Sequence, residues 1–247
     1  ANAGPISSLV DMWSAFFSGR ERRMPRLPTL VPRTSSILFK EVVLPPRACF
    51  GSLLTRVWRP PPHRYEPGAV RIAGRILQKF GLARRNLSAV ESPRRLQVVL
   101  QVRDARTATN GRWIEHADVQ KLTKELTEKL GASVVAQDFG SLPMRKQVAQ
   151  AAAADIMVGV HGSGLVHLMF LPVGGGLIEL TKMQVPTRGQ GVDNTFVSWC
   201  KWVSVQYAFV IYKADAGRRS IRFDHAQVLS AATTMASSVR SGHALDP

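Results

Sequence analysis

Apolar residues along this chain fall into short blocks whose period changes, and from about Arg94 onward the blocks predict alternating strands and helices. Residues 96–102 read as a strand. A helix follows over 116–130, with Val119, Leu122, Leu126 and Leu130 on its apolar side and Gly131 placed to close it. A strand is expected at 133–136, and then a helix over 142–154, capped by Ser141 and tolerating Pro143 in its first turn. Residues 156–160 form a short apolar run, as expected of a strand buried in a parallel sheet, followed by a helix beginning near Gly164 and a strand at 177–180. A glycine-containing loop at 182–194, an aromatic segment at 196–203, a strand at 205–212 and a last helix from the cap Asp224 to about residue 239 complete the pattern. An earlier helix is expected at 70–82. Strand and helix alternating at this spacing predict an α/β, Rossmann-like, doubly wound parallel sheet, whose ligands sit at the carboxyl ends of the strands.

Residues 1–69 break that rhythm. Pro25, Pro28, Pro32, Pro45, Pro46, Pro60, Pro61, Pro62 and Pro67 interrupt any long helix or central strand. Arg20, Arg22, Arg23, Arg26, Arg33, Arg56, Arg59 and Arg64 are interleaved with them, against few acids. The stretch is therefore expected to be an extended basic arm, with a short helix at 7–17 bearing Trp13, Phe16 and Phe17 and one strand at 37–44; residues 70–247 form the globular domain. Either the arm is a solvated linker, or its apolar residues rest on a partner's surface. Charge sharpens the choice: 33 Lys and Arg against 17 Asp and Glu leave a formal +16, and the pI is near 11.0. Such a surface points to a polyanion, either RNA or an anionic lipid face, or to acidic partner subunits; the alternative is a basic enzyme surface that binds nothing.

The two cysteines, Cys49 and Cys200, provide neither a disulfide framework nor a thiol metal site, which favours a reducing compartment. No run of eighteen apolar residues is present, so no transmembrane span is expected. The chain starts without an initiator methionine or signal peptide, which is read as a processed terminus or a removed anchor.

Candidate chemistry gathers where the strand at 156–160 runs into His161, Gly162, Ser163 and Gly164. Glycines there let backbone N–H groups approach a ligand, and the amino end of the next helix favours an anion such as a diphosphate. The same glycines also suit a plain tight turn. His161 either bonds a phosphate or sugar hydroxyl, or ties the loop together. Glu179, at the end of its strand, either accepts from ribose hydroxyls or caps backbone in the loop that follows. His167 is expected to be structural, and Asp155 to face the helix-to-strand turn.

Asp155, Ile156, Val158, Gly159, His161, Gly162, Ser163, Gly164 and Leu165, followed by Phe170-Leu171-Pro172 and Ile178-Glu179-Leu180, resemble the signature of the glycosyltransferase family 61 catalytic domain. That family includes O-linked N-acetylglucosamine transferases and plant xylan glycosyltransferases. The strand at 96–102 followed by Arg103, and then Arg112 before a helix, is similar to the arginine pair that precedes the motif in the family. The resemblance covers about residue 70 to the end and implies the carboxyl-terminal lobe of a GT-B-type enzyme. It also implies that a UDP-sugar is held by Arg103, Arg112, His161, Gly162, Ser163, Gly164 and Glu179, with neither a metal nor a cofactor, and with His161 the candidate for catalysis.

Two functions fit these expectations. The favoured one is a non-catalytic basic subunit of a large organellar assembly, such as a mitochondrial ribosome or respiratory complex, because the first seventy residues are too proline-broken to build a second lobe. The alternative is an active inverting transferase moving a sugar from a UDP-sugar to a protein or glycan, in the Golgi or endoplasmic reticulum lumen.

Overall fold

The computed structural model describes residues 67–87, 94–103, 113–182, 195–214 and 220–241. The helix expected at 7–17, the strand expected at 37–44 and the arginines of the arm lie outside the described residues. The globular part is the expected α/β fold: a five-stranded parallel sheet with helices on both faces.

Helix α1, Pro67–Lys79, turns its apolar side to the sheet through Ala73, Ile76 and Leu77. It stops at Gly81, whose φ of 72° is left-handed, with the Leu82 N–H donating to the Leu77 carbonyl at 2.8 Å. Strand β1 is Gln97–Val102, and the two-residue β2 is Trp113–Ile114. Helix α2, His116–Leu130, ends at the left-handed Gly131 as its sequence requires. After β3, Ser133–Asp138, helix α3 spans Met144–Ala153. It begins two residues later than expected, with Pro143 rather than Ser141 at its cap, because a residue preceding proline is pushed out of helical geometry. Ser141 instead closes a short turn by donating to the Asp138 carbonyl at 2.7 Å.

Strand β4, Ile156–Val160, and β5, Gly176–Thr181, are buried along their whole lengths. The helix expected near Gly164 is present as a 3-10 helix over Ser163–Phe170.

The aromatic segment forms helix α4, Thr195–Trp202, ahead of β6, Gln206–Ile211. Strands β7, Lys213–Ala214, and β8, Ser220–Arg222, join β2 in a small second sheet that periodicity does not foresee. The last helix, α5, His225–Ser241, begins as expected, with Asp224 accepting from the Ala226 N–H at 2.8 Å.

The main sheet runs β3-β1-β4-β5-β6. Helices α2 and α5 cover one face over Val98, Leu100, Val158, Ile178 and Val210; α1, α3, α4 and the 3-10 helix cover the other over Val99, Met157 and Leu177. At its amino edge the sheet is sealed by a buried acid. Asp155, 1% exposed, accepts from Arg85 at 3.0 Å, from Arg94, and from the Gln97 N–H at 2.9 Å. Arg85 also donates to the carbonyls of Ala152, Ala153 and Ala154 that end α3. Asp155 thus faces the helix-to-strand turn, as its position in the sequence suggests.

Candidate functional site

Chain order and strand order part company between β1 and β4: the chain leaves β1 for β3 on one side and returns to β4 on the other. The carboxyl ends of the strands at such a switch point are the usual ligand position in open α/β sheets. Arg103 follows β1 and His161 follows β4, so the switch point falls between the two of them.

The glycines of the loop are explained by β1. Gly162 has φ 151° and ψ −178°, a backbone shape that side chains disfavour, and a Cβ there would run into the Arg103 guanidinium. One step below, a Cβ at Gly159 would lie 3.0 Å from Gln101 Oε1, and one at Gly164 would lie 2.7 Å from Gln101 Cδ. Arg103 and Gln101 point to the same face, and the loop is glycine wherever they press against it. Gln101 is 4% exposed, and among the described residues its Oε1 has no partner.

Register places a polar row across the same face: Gln101 is level with Gly159, Gly159 with Glu179, and Glu179 with Phe209. Glu179 is 3% exposed, and both of its oxygens are engaged. Oε1 accepts from His161 Nδ1, and Oε2 accepts from the Tyr207 hydroxyl at 2.6 Å. Among the described residues it caps no backbone group. The Phe196 ring meets His161 edge-on, with centroids 5.4 Å apart, and closes one side of the imidazole. Beneath lies Cys200, fully buried, its thiol pushed well above its ordinary value by burial and by the negative charge of Glu179. A carboxylate this deep holds the imidazole in one orientation and in the tautomer protonated at Nδ1.

His167, in the 3-10 helix, supports the loop from below. Its Nδ1–H donates to the Gly164 carbonyl at 2.9 Å, and its ring stands edge-on to Phe139 at 4.8 Å. Burial lowers its pKa below the ordinary 6.5, opposed in part by the Gly164 carbonyl. Between that lowered value and 6.5 the unfolded chain takes up a proton that the folded chain refuses, so stability falls as pH drops through this window. The limiting slope is about 1.4 kcal/mol per pH unit. Urea midpoints measured from about pH 7.5 to 5 are expected to fall less steeply for His167→Asn, which keeps a donor for Gly164 without a titrating ring; an unchanged slope would refute this assignment.

The structure thus brings together Arg103, His161, Gly162, Ser163, Gly164 and Glu179 at neighbouring strand ends. Arg112 lies outside the described residues. Sequence reasoning missed Gln101 and Tyr207. A glutamine inside β1, between Leu100 and Val102, was a usable signal; Tyr207 gave none, since its partner lies 28 residues away along the chain. Among the described residues no three His, Cys, Asp or Glu side chains converge as metal ligands.

Comparison with known proteins adds one match. The model of the family described as Glycosyltransferase 61 matches residues 21–178, more than half of the 247. The match begins within the stretch that composition sets apart as an arm, takes in Arg103, Arg112 and the loop at 161–164, and ends one residue before Glu179. No curated protein matches the chain.

Proposed function

The chain belongs to the glycosyltransferase 61 family, and from that premise we propose that it transfers a sugar, with inversion, from a UDP-sugar to a hydroxyl of a protein or glycan. The diphosphate lies over the crossing of Arg103 and Gly162, where a planar guanidinium and the N–H groups of the loop face its oxygens. Arg112 supplies a second cation. The acceptor oxygen attacks the anomeric carbon from the side opposite the diphosphate; the new carbon–oxygen bond forms as the bond to phosphate breaks. The acceptor's proton passes to His161 Nε2, Nδ1–H being committed to Glu179. The nucleoside diphosphate leaves with the electron pair of the broken bond.

One observation carries this reading: a buried carboxylate, shared with Tyr207, holds His161 in one orientation at the switch point of the sheet. A charge kept at 3% exposure costs folding energy, and clusters of this kind gather where a histidine must act as base. On this reading the protein works in the Golgi or endoplasmic reticulum lumen.

The formal +16 favours a second reading, in which the lobe is a non-catalytic subunit of a mitochondrial assembly, with the Pro- and Arg-rich arm anchored on RNA, lipid or neighbouring subunits. Calorimetric titration of the full chain with UDP and UDP-sugars separates the two. One-to-one binding is expected, weakened about 10- to 100-fold in Arg103→Ala, the loss of one or two charge-assisted bonds. Indifference to every nucleoside diphosphate would reject the transferase and leave the assembly subunit.

A further inference from the structure

The helical layer on the site-bearing face has one sign of charge. Helices α1, α3 and α4 contribute Arg71, Arg75, Lys79, Arg145, Lys146 and Lys201, all exposed, and no acidic residue. The opposite layer differs: α2 sets Lys121, Lys124 and Lys129 against Asp118, Glu125 and Glu128. The excess positive charge of the described domain is therefore not spread evenly.

On α1 the cations share a stripe with an apolar side chain. Helical periodicity puts Arg71, Ile72, Arg75 and Lys79 on one side and the buried Ala73, Ile76 and Leu77 on the other. Ile72 is 41% exposed, among the few large apolar side chains left so open. Helix α1 packs against α4, whose Trp199 and Trp202 rings stack at 6.4 Å and stand half-buried at the rim of the core.

From this surface we infer that the face built by α1 and α4 seats the protein on an anionic lipid membrane. Arginines and lysine meet headgroup phosphates, Ile72 enters the acyl boundary, and the tryptophan pair lies at headgroup depth, where an amphipathic ring is favoured. The absence of acids on these helices removes the repulsion that would oppose such a contact. RNA would need the cations but would gain nothing from an exposed isoleucine among them. The same helix that bears the tryptophans places Phe196 on the His161 ring, so a protein seated this way holds its candidate site beside the lipid surface.

Sedimentation of the full chain with vesicles tests this, using phosphatidylcholine alone and phosphatidylcholine with about 30% phosphatidylserine. Binding is expected only to the mixed vesicles. The variant Arg71→Gln/Arg75→Gln/Lys201→Gln is expected to bind them about 100-fold more weakly, roughly a factor of five per cation. Ile72→Ser is expected to release the fraction that stays bound in high salt. Circular dichroism of both variants should match the parent, since the replaced side chains are exposed. Vesicle binding unchanged in the triple variant would overturn the inference, assigning the contact to another surface. So would tight binding of a single-stranded RNA oligonucleotide by a chain indifferent to both kinds of vesicle.

Discussion

Exchanging Glu179 for glutamine is expected to lower sugar transfer at saturating donor by about 100- to 10,000-fold, the range spanned by a positioned general base, while the fold survives. Glutamine matches the carboxylate in shape and can still reach both His161 and Tyr207. Either orientation of its amide loses something. With the oxygen toward His161, the tautomer is kept but the negative charge that stabilises the protonated ring is gone. With the nitrogen toward His161, the ring must present a bare Nδ1 and carries its proton on the wrong side. The kinetic split discriminates between roles. If Glu179 served the ribose hydroxyls, the donor KM would rise with kcat nearly intact; if it serves His161, kcat falls and KM changes little. An unchanged kcat in Glu179→Gln would remove Glu179 from the mechanism.

The largest effect on stability is expected far from that site. Asp155→Ala should destabilise the domain by about 3–5 kcal/mol, the usual cost of stripping one partner from a buried charge cluster. Three donors lose their acceptor at once: Arg85, Arg94 and the Gln97 N–H. The two guanidinium groups are themselves about two-thirds covered, at 31% and 33% side-chain exposure, so water rescues them only in part. The loss also frees the link through Arg85 to the last carbonyls of α3. Asp155→Asn should cost less, because an amide keeps one acceptor for the same neighbours. Glu128→Ala is the control: its pair with Lys124 spans 3.9 Å between largely exposed side chains, and deletion is expected to cost under about 0.5 kcal/mol. Denaturant midpoints at constant m-value measure all three. A loss below about 1 kcal/mol for Asp155→Ala would mean that the cluster does not hold the amino edge of the sheet.

Periodicity and turn chemistry make most elements readable from the order of residues alone. Gly131 ends α2, Asp224 starts α5, and the uninterrupted apolar run at 156–160 becomes a strand buried on both faces, because each of these rests on interactions within a few residues. Where expectation and fold differ, distance along the chain is the cause. The second sheet joins β2 to β8, more than a hundred residues apart, and leaves no periodic trace in segments two or three residues long.

The site divides in the same way. Arg103, His161, the glycines and Glu179 stand out in the sequence because unusual residue types sit at strand ends. Their relation to one another does not. Local preference, driven by backbone geometry and side-chain entropy, determined which segments are strands, which are helices and where the glycine loop lies. Only the tertiary structure decided that β4 lies beside β1 and β5, that Gln101 and Arg103 press on the loop, and that Glu179 turns to His161 and Tyr207. Strand order and register come from packing two helical layers onto one sheet, and that free energy is shared among residues whose distance along the chain carries no signature in the sequence.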